Sequence, residues 1–239
     1  KGCNITAADG DGKTPLHVAA RGGSIDIVQY LVDKGCDINA VGNNLYTPLH
    51  VAARGGNIDI VRYLVDKGCN ITAADGDGKT PLHVAARGGN IDIVQYLVDK
   101  GCDINSVGCD IHAKDKKGRT PLYYAARSGN IDIVQYLVDK GCDINDITPL
   151  REAAKSGNIE VVQYLVDKGC DINAGDEDGI TPLHEASRSG NIDIVQYLVD
   201  KGCDINAVDN DGNTPLHIAA DNGNIDIMQY LIKDVILML

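Results

Sequence analysis

The tripeptide Thr-Pro-Leu recurs seven times and contains every proline of the chain. Its copies start at Thr14, Thr47, Thr80, Thr120, Thr148, Thr181 and Thr214. The intervals between successive copies are 33, 33, 40, 28, 33 and 33 residues. Self-similarity at such a period is typical of repeat architectures, in which each unit buries its apolar face against its neighbours. The repeat therefore limits the chain to a stack of similar units.

One complete unit, residues 75–105, shows the local structure that each repeat predicts. Its first residues, D-G-D-G-K, have the composition of a tight turn. Thr80 and Pro81 predict the start of a helix, because threonine caps helices and proline suits the first helical position. Gly89 ends this helix, and Asn90 begins a second one with apolar residues at helical spacing. Each unit is thus predicted to be a turn, two helices joined by a short loop, and an extended connector.

The run T-P-L-H-x-A-A followed by G-N-I-D-I-V-Q-Y-L-V-D-K-G-C-D-I-N resembles the ankyrin repeat. The sequences of the repeats are also similar to those of ankyrin proteins from giant viruses, protists and intracellular bacteria. The resemblance implies an all-α fold: an ankyrin-repeat α-solenoid of seven helix-turn-helix repeats with short β-hairpin fingers. We predict one domain over residues 1–239. Its repeats are expected at about 9–41, 42–74, 75–114, 115–142, 143–175, 176–208 and 209–239, with 1–8 the remnant of a preceding repeat.

Composition and cysteine placement exclude several classes of function. A net charge of −12 disfavours nucleic acid and anionic membranes as partners, and the longest apolar run, 235–239, is too short to span a bilayer. Seven of the eight cysteines occupy equivalent repeat positions. Packed units lie about 8–10 Å apart, whereas a disulfide requires Cα atoms within about 7 Å. Free, buried thiols are therefore predicted, which indicates an intracellular, cytoplasmic location, or the host cytoplasm for a viral or pathogen protein.

Catalytic and metal-binding motifs are not found in the sequence, so we predict no enzymatic activity, no cofactor and no metal. The resemblance implies instead a protein–protein interaction scaffold or adaptor that binds a partner through its concave face and fingers. Two alternatives stay open. The chain would be the targeting module of a larger effector or ubiquitin-ligase adaptor, or it would be an architectural spacer.

A basic residue follows most Thr-Pro-Leu threonines by seven positions and forms a ladder: Arg21, Arg54, Arg87, Arg127, Lys155 and Arg188. A cation at the end of a helix is favoured by the helix dipole, which is one explanation. The other explanation, which we adopt for partner binding, is a basic stripe that recognises an acidic protein surface or segment.

The middle of the chain departs from the repeat. Seven residues are inserted before Thr120, and the connector before Thr148 is shortened. Residues 106–128 carry five basic and two acidic residues. Drift in surface loops explains such changes, but a specific contact would also do so. For the second explanation, the candidate partner-binding residues are Lys116, Lys117, Arg119, Tyr123 and Tyr124.

Structural or regulatory roles are expected for other repeated residues. From the resemblance, the histidines after Thr-Pro-Leu are expected to hydrogen-bond the threonine hydroxyl and the neighbouring repeat, and the second-helix tyrosines to pack between repeats. The segment L-V-D-K-G-C-D-I-N also resembles the ankyrin segment that 2-oxoglutarate-dependent asparaginyl hydroxylases accept. Hairpin hydrogen bonding is the alternative role for the matching asparagines, which are Asn39, Asn105, Asn145, Asn173 and Asn206.

The turn of repeat 2 and the C-terminal tail also depart from the repeat. In repeat 2, Leu45 takes the place of the turn glycine. Because leucine tolerates positive φ poorly, this turn should adopt another form, with Tyr46 projecting from it. The apolar C-terminal tail indicates a fragment of a longer array, a segment folded over the last repeat, or a dimerisation surface on a chain otherwise expected to be monomeric.

Overall fold

The computed structural model describes residues 4–101, 110–144 and 148–237. The chain divides into two compact units, Lys1–Tyr124 (unit 1) and Ala125–Leu239 (unit 2), and the division falls within helix α7 (Pro121–Ser128). The helices before it are α1 (Pro15–Gly22), α2 (Ile25–Asp33), α3 (Pro48–Gly55), α4 (Ile58–Asp66), α5 (Pro81–Gly88) and α6 (Ile91–Gly101). Those after it are α8 (Ile131–Asp139), α9 (Thr148–Ser156), α10 (Ile159–Asp167), α11 (Pro182–Ser189), α12 (Ile192–Asp200), α13 (Pro215–Asp221) and α14 (Ile225–Leu237).

The first helix of a repeat begins as its sequence predicts. The capping threonine has an extended backbone, proline is the first helical residue, and the histidine two positions after proline completes a capping box. This arrangement is present at Thr14, Thr47, Thr80, Thr181 and Thr214. Four of these helices end at a left-handed glycine, for example Gly89 with φ of 74°. The predicted helix starts and stops are therefore confirmed for these repeats.

Each unit consists of a layer of first helices and a layer of second helices. In unit 1, α3 packs between α1 and α5, and α4 packs between α2 and α6. In unit 2, α11 packs between α9 and α13, while α8, α10, α12 and α14 form the second layer. Leu82, Ala85 and Ala86 of α5 have no exposed surface. The small alanines allow neighbouring first helices to approach closely.

The turn that precedes a first helix, here called a finger, is held by one aspartate. The Asp75 carboxylate accepts hydrogen bonds from the backbone amides of Asp77 and Lys79, both at 2.9 Å. The equivalent aspartates of the other described fingers are Asp9, Asp115, Asp176 and Asp209. The expected β-hairpin fingers take the form of these tight turns, and no strand is found in the part of the chain that the structure describes.

Successive fingers are joined by single backbone hydrogen bonds. In unit 1, the Asn43 amide donates to the Asp11 carbonyl at 3.1 Å, and the Lys116 amide donates to the Asp77 carbonyl at 2.9 Å. In unit 2, the Asn210 amide donates to the Asp178 carbonyl at 2.9 Å. The contact between neighbouring fingers therefore depends on main-chain atoms.

The finger of repeat 2 does adopt a different form, a 3₁₀ turn at Asn43–Leu45. Leu45 nevertheless has a φ of 57°, next to Asn44 with a φ of 59°. The expectation that leucine would avoid positive φ here is wrong. The finger is held by neighbours on both sides, since the Asn44 carbonyl also accepts from the Gly76 amide at 2.6 Å, and this constrains the backbone around Leu45.

Tyrosine side chains link second helices across repeats. The hydroxyl groups of Tyr96 and Tyr197 donate to the last aspartate of the preceding second helix, Asp66 and Asp167 respectively, both at 3.2 Å. A lysine four residues after each tyrosine lies over its ring, as Lys201 does over Tyr197 at 5.3 Å from the centroid. The prediction of inter-repeat packing by the tyrosines is confirmed at these positions.

Candidate functional site

Unit 1 contains a groove of about 580 Å³ between its fingers and its first helices. Fingers 1 to 3 contribute Asp11, Asn43 and Asp77 to its lining. The first helices contribute His17, Arg54 and Arg87. We call this cavity the unit 1 groove. It brings together two members of the predicted basic ladder in one concave site, which is the usual shape of a binding site.

Arg54 and Arg87 are exposed at the ends of α3 and α5. One helical turn before each of them stands a valine, Val51 or Val84, which also lines the groove. The acidic side chains of the groove are already engaged. Asp11 pairs with Lys13 at 2.7 Å and Asp77 pairs with Lys79 at 2.8 Å. The two guanidinium groups are therefore the positive charges that the groove presents to a ligand.

Tyr46 is a groove residue that sequence reasoning placed incorrectly. Instead of projecting from its turn, its ring packs on His50 with centroids 4.8 Å apart, and the residue is half-buried. Burial raises the pKa of the Tyr46 hydroxyl, while a hydrogen bond with Arg54 and the nearby charges of Arg54 and Arg87 act in the opposite direction. The hydroxyl therefore lies close to the Arg54 guanidinium in the groove.

The ladder has a different environment in unit 2. There, glutamates replace the valines, and Glu152 and Glu185 are only 7% and 5% exposed. Arg127 lies 3.8 Å from Glu152, and Lys155 lies 3.7 Å from Glu185. Arg188 also reaches Glu185, at 3.3 Å. The i, i+3 spacing of Glu185 and Arg188 was visible in the sequence, but the pairs between repeats depend on stacking. The six ladder residues thus divide into a set without glutamate neighbours in unit 1 and an ion-paired set in unit 2.

Three of the five candidates around finger 4 have structural roles. Tyr123 and Tyr124 are only 6% and 3% exposed, and Tyr124 also lines the unit 1 groove, so their contact with a partner stays a prediction. The Tyr124 hydroxyl donates to buried Asp115 at 2.7 Å. Arg119 is largely buried over both tyrosine rings and pairs with Asp115 at 2.7 Å, and its contact with a partner likewise stays a prediction. Sequence reasoning missed this cluster because nine residues separate Asp115 from Tyr124.

Hydrogen bonds keep Asp115 ionised inside unit 1. Burial raises the pKa of its carboxyl, but hydrogen bonds from Arg119, from Tyr124 and from two backbone amides outweigh burial and lower the pKa to about 2. Burial and the bond to Asp115 raise the pKa of Tyr124. Lys116 and Lys117, by contrast, are exposed on the same finger, where a partner could reach them. Of the finger 4 candidates, these two lysines are the exposed ones.

The histidines join each first helix to the next repeat, as expected. His50 Nδ1 accepts from the Thr47 backbone amide at 3.2 Å, so the proton is assigned to Nε2, which donates to the Lys79 carbonyl at 3.0 Å. His17, His83 and His184 make the same pair of contacts. Burial lowers the pKa of His17, His50 and His83. In repeat 5, Arg151 replaces histidine and pairs with Asp176 of the next finger.

Two asparagines of the hydroxylation motif bridge neighbouring repeats. Asn39 Oδ1 accepts from the Asn70 amide, and Asn173 Oδ1 accepts from the Asp204 amide, both at 2.8 Å. Both residues, and Asn206, are exposed. Asn105 and Asn145 lie outside the described residues. Their hydroxylation stays a prediction, which a mass increase of one oxygen per site after hydroxylase treatment would support.

The repeat cysteines that the structure describes are buried and form no disulfide bonds: Cys36, Cys69, Cys142, Cys170 and Cys203. Burial raises the pKa of Cys69 and Cys203 to about 12 and that of Cys170 to about 11, so these thiols are unreactive at neutral pH. Cys3, Cys102 and Cys109 lie outside the described residues.

Metal ligands do not cluster: residues 4–101, 110–144 and 148–237 bring no three His, Cys, Asp or Glu side chains together to hold an ion. Nor does any helix within these ranges have the length and apolarity required to cross a bilayer.

Comparison with known proteins agrees with the geometry. A family model described as ankyrin repeats (three copies) matches residues 1–75, 40–107, 106–176 and 150–237. The chain therefore belongs to the ankyrin-repeat family. Among solved structures, the chain is similar to the ankyrin repeat domain of human ASB11, with 25% identity and a TM-score of 0.79. The match covers 92% of this chain and 97% of that one. No curated protein matches the chain.

The expected ankyrin-repeat α-solenoid class is thus confirmed by both the family model and the structural match. Ankyrin repeats are in general protein–protein interaction modules, and the fold is a non-catalytic scaffold. A repeat scaffold presents side chains from several units on one surface, and its specificity resides in those side chains rather than in the fold.

Proposed function

We propose that this chain is a protein-binding module that contacts an acidic partner through the unit 1 groove. The observation that carries the proposal is the division of the basic ladder. Arg54 and Arg87 lie exposed beside valines, whereas the unit 2 ladder is paired with buried glutamates. Guanidinium groups bind carboxylates through paired, charge-assisted hydrogen bonds, so the exposed pair suits an acidic side chain.

The charge of the remaining chain supports the same site. With a net charge of −12, most of the surface repels an acidic partner at long range. The exposed Lys116 and Lys117 on finger 4 extend the positive region within unit 1, since finger 4 is bonded to finger 3 through the Asp77 carbonyl. Such a local patch directs a partner to one place, because like charges elsewhere oppose binding.

Affinity capture followed by quantitative mass spectrometry tests the proposal. The wild-type chain would be compared with Arg54→Glu/Arg87→Glu and with a matched control, Lys155→Glu/Arg188→Glu. We expect the first variant to lose the partners that the wild type captures and the control to keep them. Circular dichroism would confirm that both variants are folded. Partners retained by the first variant, or lost equally from both, would contradict the proposed site.

A further inference from the structure

We propose that the unit 1 groove selects an acidic segment in the polyproline II conformation, with a carboxylate at every third residue. This inference rests on the proposed function and adds the conformation and register of the bound segment. It begins from the regular placement of Arg21, Arg54 and Arg87, which stand at the same position near the ends of α1, α3 and α5.

The first step is the spacing of these arginines. Their helices are direct neighbours, with α3 packed against both α1 and α5. Packed helices have axes about 8–10 Å apart. Equivalent residues on successive first helices therefore repeat at about that distance, and a segment lying across the helices meets one guanidinium group per repeat.

The second step compares this spacing with the possible backbone conformations of a ligand. A polyproline II helix has three residues per turn and rises about 3.1 Å per residue, so side chains on one face recur every ~9.3 Å. Side chains on one face of a β-strand recur every ~6.6–6.8 Å, which falls between the arginines. An α-helix places residues i and i+7 about 10.5 Å apart, which exceeds the spacing of packed helices.

The third step concerns the backbone of the ligand. A polyproline II segment has no internal hydrogen bonds, so its carbonyl and amide groups require partners. Asn43 and Asn44 line the groove, and an amide side chain both donates and accepts. Tyr46 provides a half-buried ring at the same wall, with its hydroxyl close to Arg54. Proline-rich segments bind such aromatic surfaces.

Fluorescence polarisation with three labelled peptides of identical composition tests the inference. Each peptide contains three glutamates and four prolines, with glutamate at every third position, at every second position, or in one consecutive block. The protein is the full chain. We expect the every-third peptide to bind about tenfold more tightly than the other two, because it alone places carboxylates at the spacing of Arg54 and Arg87, the arginines that line the groove. Arg87→Gln should remove this preference, and Arg188→Gln in unit 2 should preserve it.

Equal binding of the three peptides, or binding of none, would contradict the proposed register of one carboxylate at every third residue. If partner capture nevertheless depended on Arg54 and Arg87, the proposed function would stand and only the register would fail. If the every-third peptide were preferred equally by the Arg87→Gln variant, the site itself would be wrong. The two experiments therefore separate failure of the inference from failure of the function.

Discussion

At the scale of single residues, the buried histidines have one hydrogen-bonding state that fits. Nδ1 of His50 faces a backbone amide, which only donates, and Nε2 faces a carbonyl, which only accepts. A second ring proton would place two donors against each other. The neutral ring is therefore part of the junctions that His17, His50 and His83 make with the next repeat, and burial favours the same neutral form by lowering the pKa of these three histidines.

This arrangement predicts a loss of stability in mild acid. Below the ordinary histidine pKa of 6.5, the unfolded chain binds protons that the folded chain does not, so the free energy of unfolding decreases as pH falls. Urea unfolding at about pH 7.5 and about pH 5.5 would measure the decrease. At the higher pH, the free energy of unfolding of His50→Gln should be about 1–3 kcal/mol lower than that of the wild type, because buried partners lose their hydrogen bonds. Its free energy of unfolding should also decrease less between the higher and the lower pH.

His217→Gln is the matched control, since His217 caps its helix in the same way but has an exposed ring. It should have a smaller effect on stability at neutral pH. An unchanged pH decrement in His50→Gln would show that the acid sensitivity resides elsewhere.

At the scale of elements, helix starts and stops could be predicted because their causes are local in sequence. Thr80, Pro81 and Gly89 determine where α5 begins and ends, and each acts within one helical turn. The finger 4 cluster and the glutamate pairs of unit 2 could not be predicted in this way. They depend on which face of a helix is covered and on which residues of the next repeat lie opposite, and neither is recorded in the spacing along one repeat.

The finger of repeat 2 gives a prediction at this scale. Leu45 holds a left-handed conformation that disfavours a side chain by about 1–2 kcal/mol. Leu45→Gly should therefore raise the free energy of unfolding by about 1 kcal/mol, reduced somewhat by the greater freedom of glycine in the unfolded chain. Chemical denaturation would measure the change.

Leu45→Ala provides the comparison, because it keeps a Cβ atom at positive φ while removing the exposed side chain. It should not reproduce the gain. Equal stabilisation by alanine and glycine would mean that the exposed apolar surface of Leu45, rather than its backbone, was the source of the effect.

At the scale of the whole molecule, one scaffold supports two kinds of surface. The ladder positions are equivalent in sequence, yet their surroundings differ. Valine stands three positions before Arg54 and Arg87, whereas Glu152 and Glu185 pair with ladder cations of their own or of the preceding repeat. The family and the helical fold could be predicted from the repeat alone. The position of the groove required the burial and pairing of individual side chains.

Replacing those glutamates should create a second binding surface. In Glu152→Val/Glu185→Val, Lys155 and Arg188 lose the carboxylates that lie at 3.7 and 3.3 Å from them and acquire the environment of Arg54 and Arg87. Isothermal titration with the every-third peptide should show an increase in the number of peptides bound per chain. Glu160→Gln, at an exposed position of α10, serves as the charge control. An unchanged stoichiometry would show that the flanking residue does not govern binding.

The bonds between fingers have a consequence for diversification. Their donors are the backbone amides of Asn43, Gly76, Lys116 and Asn210, three different residue types in the same role. Because these bonds join main-chain atoms, the side chains of Asn43 and Lys116 can change while the bonds between fingers are kept, whereas Gly76 has no room for a side chain beside Asn44. A display library randomised at Asn43 and Lys116 would therefore explore new partners without searching for a new fold.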